Sequence, residues 1–242
     1  MNTIKPAFSR KPLMVAHRGC SGLERENTHA AFVAAGNRSY WGIETDIHRT
    51  ADGHFVVIHD GDTKRVAGDH VVVEETTLET LRRITLRNKY SDQKDRPDLC
   101  LPTLAEYIAI CKYYEKHAVL ELKSDFSEEE IAAICAIIDE QDYLHHTTFI
   151  AFGYENLVKL RVQRPTQSAQ FLIGKELPEH WLEMLLDQKV DLDIYRLTLT
   201  EEMVRICHEN GIKVNCWTVD DPDEAIRLAD WGVDQITSNI LE

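Results

Sequence analysis

The chain has 242 residues, 43% of them hydrophobic and 28% charged, with a formal net charge of -14 at pH 7. That length suits one larger domain with a substantial core, α/β barrels of about 250 residues included. The charge speaks against nucleic acid, whose affinity comes largely from phosphate neutralisation by Lys and Arg. The N-terminus lacks the apolar core of a signal peptide, and no run approaches the ~18 apolar residues of a membrane span. Six cysteines at 20, 100, 111, 135, 207 and 216 form no CxxC pair, so neither a zinc cluster nor a disulfide framework is expected. The expectation is a reduced, soluble, cytoplasmic protein, and its acidic surface is compatible with a homodimer.

After a short basic tail (Lys5, Arg10, Lys11), LMVAHR at 13–18 reads as a buried strand. A helix is expected from Glu26 to Gly36, with the glycine placed to end it. GIETDIH at 42–48 is a second strand, and Asp52-Gly53 marks a turn returning the chain into FVVIH at 55–59. Residues 61–101 form a long polar excursion with one modest helical segment at 77–84, a length typical of a functional loop or small subdomain. From Pro102 the pattern becomes regular. A helix to about Lys116 leads to a strand at 118–123. Ser127, with the glutamates after it, forms a capping box for a helix to Gln141. Strands follow at 147–152, 168–173, 190–197, 212–219 and 233–237. Between them lie helices at 155–164, 178–187, from the Thr200 cap to Asn210, and 222–231.

Eight strands alternating with helices or excursions argue for a parallel sheet. Eight such units favour closure into a TIM (β/α)8 barrel, with a small insertion after the second-strand hairpin. An open doubly wound sheet would carry a GxGxxG loop after its first strand. Here His17-Arg18-Gly19 stands there instead. The whole of 1–242 is therefore expected to be one barrel domain with an insertion at 61–101.

In such a barrel the chemistry gathers at the C-terminal ends of the strands. That rule collects His17 and Arg18, Glu44 and Asp46, Glu121 and Lys123, and Trp217, with His59 brought back by the hairpin. Glu44 and Asp46 alternate along a strand and so point to one face. Two carboxylates there are not ordinary core, since buried charge is paired or holds a metal. Three carboxylates without thiolates suit a hard cation such as Mg²⁺, Ca²⁺ or Mn²⁺. Two imidazoles suit acid–base work, while Arg18 and Lys123 suit a phosphoryl group. Together they describe metal-assisted cleavage of a phosphate ester. Asp52 and Asp60 read as turn residues, and His145-His146 as a loop. His48 shares parity with the two carboxylates but sits one step later.

The runs HRG (17–19), ENT (26–28) with Ala31-Phe32, ETDIHRTADGHFVVIHD, LPTL at 101–104, LELK at 120–123 and CWTVDD near 217 resemble the glycerophosphodiester phosphodiesterase family across nearly the whole chain. The resemblance implies a TIM barrel with a small insertion after the His59-Asp60 strand. It implies Glu44, Asp46 and Glu121 as ligands of a divalent metal, and His17 and His59 as catalytic acid and base. Arg18 and Lys123 would bind substrate phosphate, with Glu26, Asn27 and Trp217 as substrate-binding residues shaping the pocket. The implied reaction releases glycerol 3-phosphate and an alcohol such as choline or ethanolamine. The substrate hydroxyl beside the diester acts as nucleophile in that scheme, and no Ser, Thr or Cys occupies an obvious nucleophile position. Arg25, Ala151-Phe152 and Thr237-Ser238-Asn239 depart from the family pattern. A lysophospholipase D on the same barrel is the alternative within enzymes, and a barrel that merely binds a phosphorylated ligand is the alternative outside them.

Overall fold

The computed structural model describes residues 2–91 and 93–242. Eight parallel strands close on themselves: β1 (Leu13–Ala16), β2 (Gly42–Arg49), β4 (His117–Leu122), β5 (Thr147–Ala151), β6 (Ala169–Ile173), β7 (Asp191–Tyr195), β8 (Val214–Trp217) and β9 (Gln235–Ser238). Closure is made by β1, which pairs with β9 through Val15↔Thr237 and with β2 through Val15↔Gly42. This is the expected TIM barrel, and the β1–β2 pairing is what excludes the open sheet. The antiparallel strand β3 (Phe55–Val57) folds back on the end of β2, with Ile47 opposite Val57.

Helices α1 (His29–Gly36), α4 (Leu104–Tyr113), α5 (Glu128–Asp139), α6 (Tyr154–Gln163), α7 (Trp181–Gln188), α8 (Glu201–Glu209) and α9 (Pro222–Asp230) surround the barrel. The first helix starts at His29 and not at Glu26, where the sequence pattern puts it. Thr28 is its cap, accepting from the Ala31 amide. That leaves Glu26 and Asn27 in a turn, with Asn27 at φ 55. Strand β1 also ends before His17, so both residues of the His-Arg pair stand above the sheet.

The insertion, described at 61–91 and 93–101, is less of a bare excursion than its composition predicts. It holds α2 (Lys64–Ala67) and α3 (Leu78–Arg82). Val66, Ala67, Val73, Leu81, Leu86, Leu99 and Leu101 pack with Val56 and Ile58 as a small separate core. The spacing of these residues hides the core, because they come from short segments with no sustained period.

Strand alternation explains how one sheet serves both stability and chemistry. Ile43, Thr45 and Ile47, Leu120 and Leu122, Leu192 and Ile194 belong to one parity, and the apolar members of this set pack with the helices. The other parity turns into the barrel, where apolar side chains are few: Val15, Val119, Ile150 and Leu172, flanked by Trp41 and Trp217. Polar pairs span the rest, Gln170 Nε2 donating to Gln235 Oε1 at 2.9 Å and Asn215 Nδ2 to Asp193 Oδ1 at 2.8 Å. Trp41 stacks on His117 at 4.2 Å near the N-terminal ends of the strands. The charged groups of the same parity lie at the opposite end.

Candidate active site

The β1–α1 turn is built to point backbone donors at β2. Arg18 and Gly19 adopt φ 53 and 74, and Gly19 lies so close to α1 that a Cβ would stand 2.7 Å from the Ala31 carbonyl carbon. Only glycine meets both demands. In that turn the Arg18 amide donates to Glu44 Oε2 at 2.7 Å, and the Gly19 amide to the Glu44 carbonyl at 3.2 Å.

Glu44 and Asp46 face inward two residues apart on β2, and Glu121 joins them from β4, where it is in register with Asp46. Carboxylate oxygens of all three lie within 4.8 Å of one another, each residue at most 7% exposed. Burial, with Asp46 next, pushes the Glu44 carboxyl well above its ordinary range. The same two causes, against an opposing Lys123, push Glu121 up to about 8. Burial would raise Asp46 too, but Arg18, His59 and Lys123 outweigh it and hold that carboxyl at about 2. Asp46 Oδ1 is buried without a hydrogen-bond partner among the described residues. An orphaned carboxylate oxygen inside a mutually repelling acidic triad is what a cation would relieve. The residues therefore fit a divalent metal of the hard, oxygen-preferring kind.

Two imidazoles share a cavity with this cluster, each held through Nδ1. His17 Nδ1 lies 2.8 Å from Asn239 Oδ1; the amide is oriented by Nδ2 donating to Asp220 Oδ2 at 2.6 Å. His59 Nδ1 lies 2.6 Å from Asp60 Oδ1. Hydrogen-bonding Nδ1–H to an oxygen leaves Nε2 as the free basic nitrogen of each neutral ring. Burial first, then Arg18, lowers His17 to about 4. His59 is also lowered by burial, with Asp46 opposing. Lys123 Nζ donates to Glu121 Oε1 at 2.9 Å and stands 3.8 Å from Asp46 Oδ1. Arg18 Nε is 3.5 Å from Asp46 Oδ2.

A cavity of about 320 Å³ opens between these groups. His17, Arg18, Glu44, His59, Glu121 and Lys123 line one half, and Ile150, Phe152, Leu172 and Trp217 the other. Trp217 meets Phe152 edge-on at 5.7 Å. A wider depression of about 930 Å³ lies on α8 and beside Trp231, but its Arg205 is already paired with Glu202 and Glu209 on the surface. The smaller cavity is where the chemistry converges.

Not every residue picked from the pattern lines that cavity. Asn27 is 3% exposed and turned onto its neighbours, donating to Asp46 Oδ2 at 2.7 Å and accepting from Thr45 Oγ1 at 2.7 Å. Glu26 lines an adjoining groove and accepts from Arg18 Nη1 at 2.8 Å. His48 is set behind the site, with Nε2 3.1 Å from the His59 carbonyl oxygen. Asp60 is more than the turn residue its position implies, because its carboxylate engages His59. Two further residues belong to the site without having been expected there: Asn239, known from the sequence only as a departure from the family pattern, and Asp193. Asp193 lines the cavity, its carboxyl raised to about 7 by burial against the Asn215 hydrogen bond. The inward parity of β7 was the available signal for it, and the strand-end rule was the signal for Asn239.

Fold and site together define a (β/α)8-barrel enzyme whose cavity is lined by two histidines and by carboxylates of an acidic cluster that could hold a metal ion. The chain belongs to the Glycerophosphoryl diester phosphodiesterase family, a family of phosphoric diester hydrolases, whose sequence model matches residues 17–241. A glycerophosphodiester phosphodiesterase of Caldanaerobacter subterraneus subsp. tengcongensis is 29% identical over 235 residues, covering 95% of this chain and 94% of that one. Human glycerophosphodiester phosphodiesterase 1 is 35% identical, over 94% of this chain and 78% of its own. Among solved structures, an Oleispira antarctica phosphodiesterase in complex with the product sn-glycerol-3-phosphate superimposes with a TM-score of 0.86 at 28% identity, covering 95% of this chain and 93% of that one.

Proposed function

We propose that this protein hydrolyses glycerophosphodiesters, such as glycerophosphocholine or glycerophosphoethanolamine, to glycerol 3-phosphate and an alcohol. The observation that carries the reading is that His17 and His59 line one cavity together with Glu44 and Glu121, which cluster with Asp46. Glu44, Asp46 and Glu121 would hold Mg²⁺, Ca²⁺ or Mn²⁺, which when bound neutralises charge on the phosphoryl oxygens. Asn27 keeps Asp46 aimed, while Arg18 and Lys123 supply the remaining positive charge.

One imidazole takes the proton of the glycerol hydroxyl beside the diester as its oxygen bonds to phosphorus. The other gives a proton to the departing alcohol as its P–O bond breaks, and water then opens the cyclic phosphate. His59, backed by the Asp60 carboxylate, is the stronger base of the pair. His17, backed by a neutral amide, is left as the acid; it serves as one once Nε2 is protonated, a form that burial and Arg18 disfavour in the empty cavity and that an anionic phosphoryl group beside it favours. An internal nucleophile suits this cavity: Thr237 lines it, but its hydroxyl is engaged by Asn215 at 3.0 Å. Holding both reacting groups in one molecule supplies the high effective concentration that the step needs.

The apolar residues Val66, Ala67, Val73, Leu81, Leu86, Leu99 and Leu101 of the insertion are consumed in its own core, which speaks against an apolar mouth for a lysophospholipid acyl chain built from that segment. No helix among the described residues is long and apolar enough to cross a membrane. The six free cysteines fit a reducing, cytoplasmic setting.

The test is release of glycerol 3-phosphate from glycerophosphocholine with EDTA, and then with each cation restored. Turnover should vanish with chelator and return with at least one cation. His17→Ala and His59→Ala should each lose on the order of 10²–10⁴-fold with metal present. Retention of near wild-type turnover by both variants would refute the assignment.

A further inference from the structure

The insertion sends one side chain toward the catalytic apparatus without entering the cavity. Arg65, on α2, donates from Nε to Asp60 Oδ2 at 2.6 Å. The other end of its guanidinium forks onto Glu26, Nη1 to Oε2 at 2.6 Å and Nη2 to Oε1 at 2.9 Å. Each of these carboxylates is itself in contact with a residue of the site. Asp60 Oδ1 meets His59 Nδ1, and Glu26 Oε1 accepts from Arg18 Nη1. One planar cation thus joins two arms, one ending on an imidazole and the other on a guanidinium beside Asp46.

We propose that Arg65 is a positioning residue for the phosphodiesterase reaction, holding Asp60 against His59 and Glu26 against Arg18. Its kinetic consequences rest on the glycerophosphodiesterase reading, its structural ones on geometry alone. An unrestrained Asp60 carboxylate has solvent and other rotamers open to it. Gripped from Oδ2, it presents Oδ1 to the imidazole, which keeps the proton on Nδ1 and Nε2 free for substrate. Lysine is a poor substitute, because a compact ammonium lacks the fork that spans two carboxylates.

A plain stapling role is the competing explanation, and the structure separates the two. The insertion is tied to the β1–α1 turn by other contacts: Arg25 donates to the carbonyls of Arg87 and Asn88, Tyr90 Oη to those of Gly22 and Leu23, and Arg96 pairs with Glu24 at 2.7 Å. Removing Arg65 therefore releases Asp60 and Glu26 while the insertion stays docked.

The experiment compares wild type, Arg65→Ala, Arg65→Lys, Asp60→Asn and the Arg65→Ala/Asp60→Asn double variant, with the activating divalent cation saturating and glycerophosphocholine as substrate. Arg65→Ala should lose about 10–100-fold in kcat with KM changed far less, and Arg65→Lys should recover part of the loss. The double variant should be no slower than the slower single one, because both changes break the same link. Long-range ¹H–¹⁵N spectra of His59, identified by its absence in His59→Ala, should show one Nδ1–H tautomer in wild type and a tautomer mixture in Arg65→Ala. If Arg65→Ala does not fold, Arg65→Lys carries both readouts. Unchanged kcat, multiplicative losses in the double variant, or an undisturbed His59 tautomer would each overturn the proposal. Wild-type protein without diesterase turnover would instead defeat the functional reading, and the tautomer measurement would still decide the role of Arg65.

Discussion

Replacing Glu121 by Gln should stabilise the metal-free protein while weakening its hold on the cation. In the folded chain burial and Asp46 push the Glu121 carboxyl up to about 8, against the pull of Lys123. In an unfolded chain a glutamate titrates near ~4.3. The folded state therefore binds this proton more tightly, and the group's contribution falls as pH rises. It costs nothing below ~4.3, grows progressively through neutral pH, and is complete above about 8. Taken whole, that shift corresponds to roughly 3–4 kcal/mol at pH 7. Part of it is repulsion shared with Asp46 and Glu44, and the neutral amide also forfeits attraction to Lys123. The expected gain is therefore about 1–2 kcal/mol, or ~2–8 °C in melting midpoint for a chain of this size.

The assay is thermal unfolding of both proteins in EDTA at pH 5, 7 and 8.5, repeated with saturating cation. In EDTA the variant should melt higher, by a margin that widens with pH. With metal at about 100 times its Kd the wild type gains ~2.7 kcal/mol and the order reverses. A variant less stable than wild type in EDTA at pH 8.5, or a margin that does not grow with pH, would refute the reasoning. So would equal stabilisation of both proteins by the cation.

Two further substitutions probe the scaffold. Gly19→Ala meets a φ of 74 and an approach of 2.7 Å to the Ala31 backbone, so it should cost about 1–3 kcal/mol in urea unfolding. It should also disturb the Arg18 amide that donates to Glu44, and a cost under ~0.5 kcal/mol would show the turn to be more yielding than its geometry implies. Tyr107→Phe removes a fully buried hydroxyl that donates to the Ile43 carbonyl at 2.7 Å and accepts from the Val119 amide at 3.0 Å. The orphaned backbone groups should cost about 1–3 kcal/mol. Because Tyr107 does not line the cavity, kcat per folded molecule should hold, and a large fall in kcat would contradict that placement.

Periodicity and punctuation were enough to find the strands of this barrel and most of its helices. Local chemistry decides those elements: the Thr103 and Ser127 capping boxes, the Asp52-Gly53 turn and the alternation along β2 are written within a few residues of each other. The same local rule places Glu44, Asp46 and Glu121 near the end of parallel strands, so the acidic centre was legible once eight βα units were counted. Boundaries near the site were not. The turn at 17–19 and the Glu26–Asn27 turn depend on contacts with β2 and α1 that are distant in sequence. Sheet closure likewise required β1 to find both β9 and β2, separations that leave no trace in a local pattern.

The face of a strand on which Glu44, Asp46 and Glu121 stand can be read from the chain alone, because side-chain period is a property of the local backbone. Which side chains hold one another is settled by contacts between segments distant in the chain. Asp60 reads as a turn residue until His59 and Arg65 are seen on its two oxygens, and Asn239 is an ordinary loop amide until it meets His17 from the other end of the chain. Such partnerships are hydrogen bonds between groups brought together by barrel closure and by docking of the insertion, and their geometry exists only in the folded state.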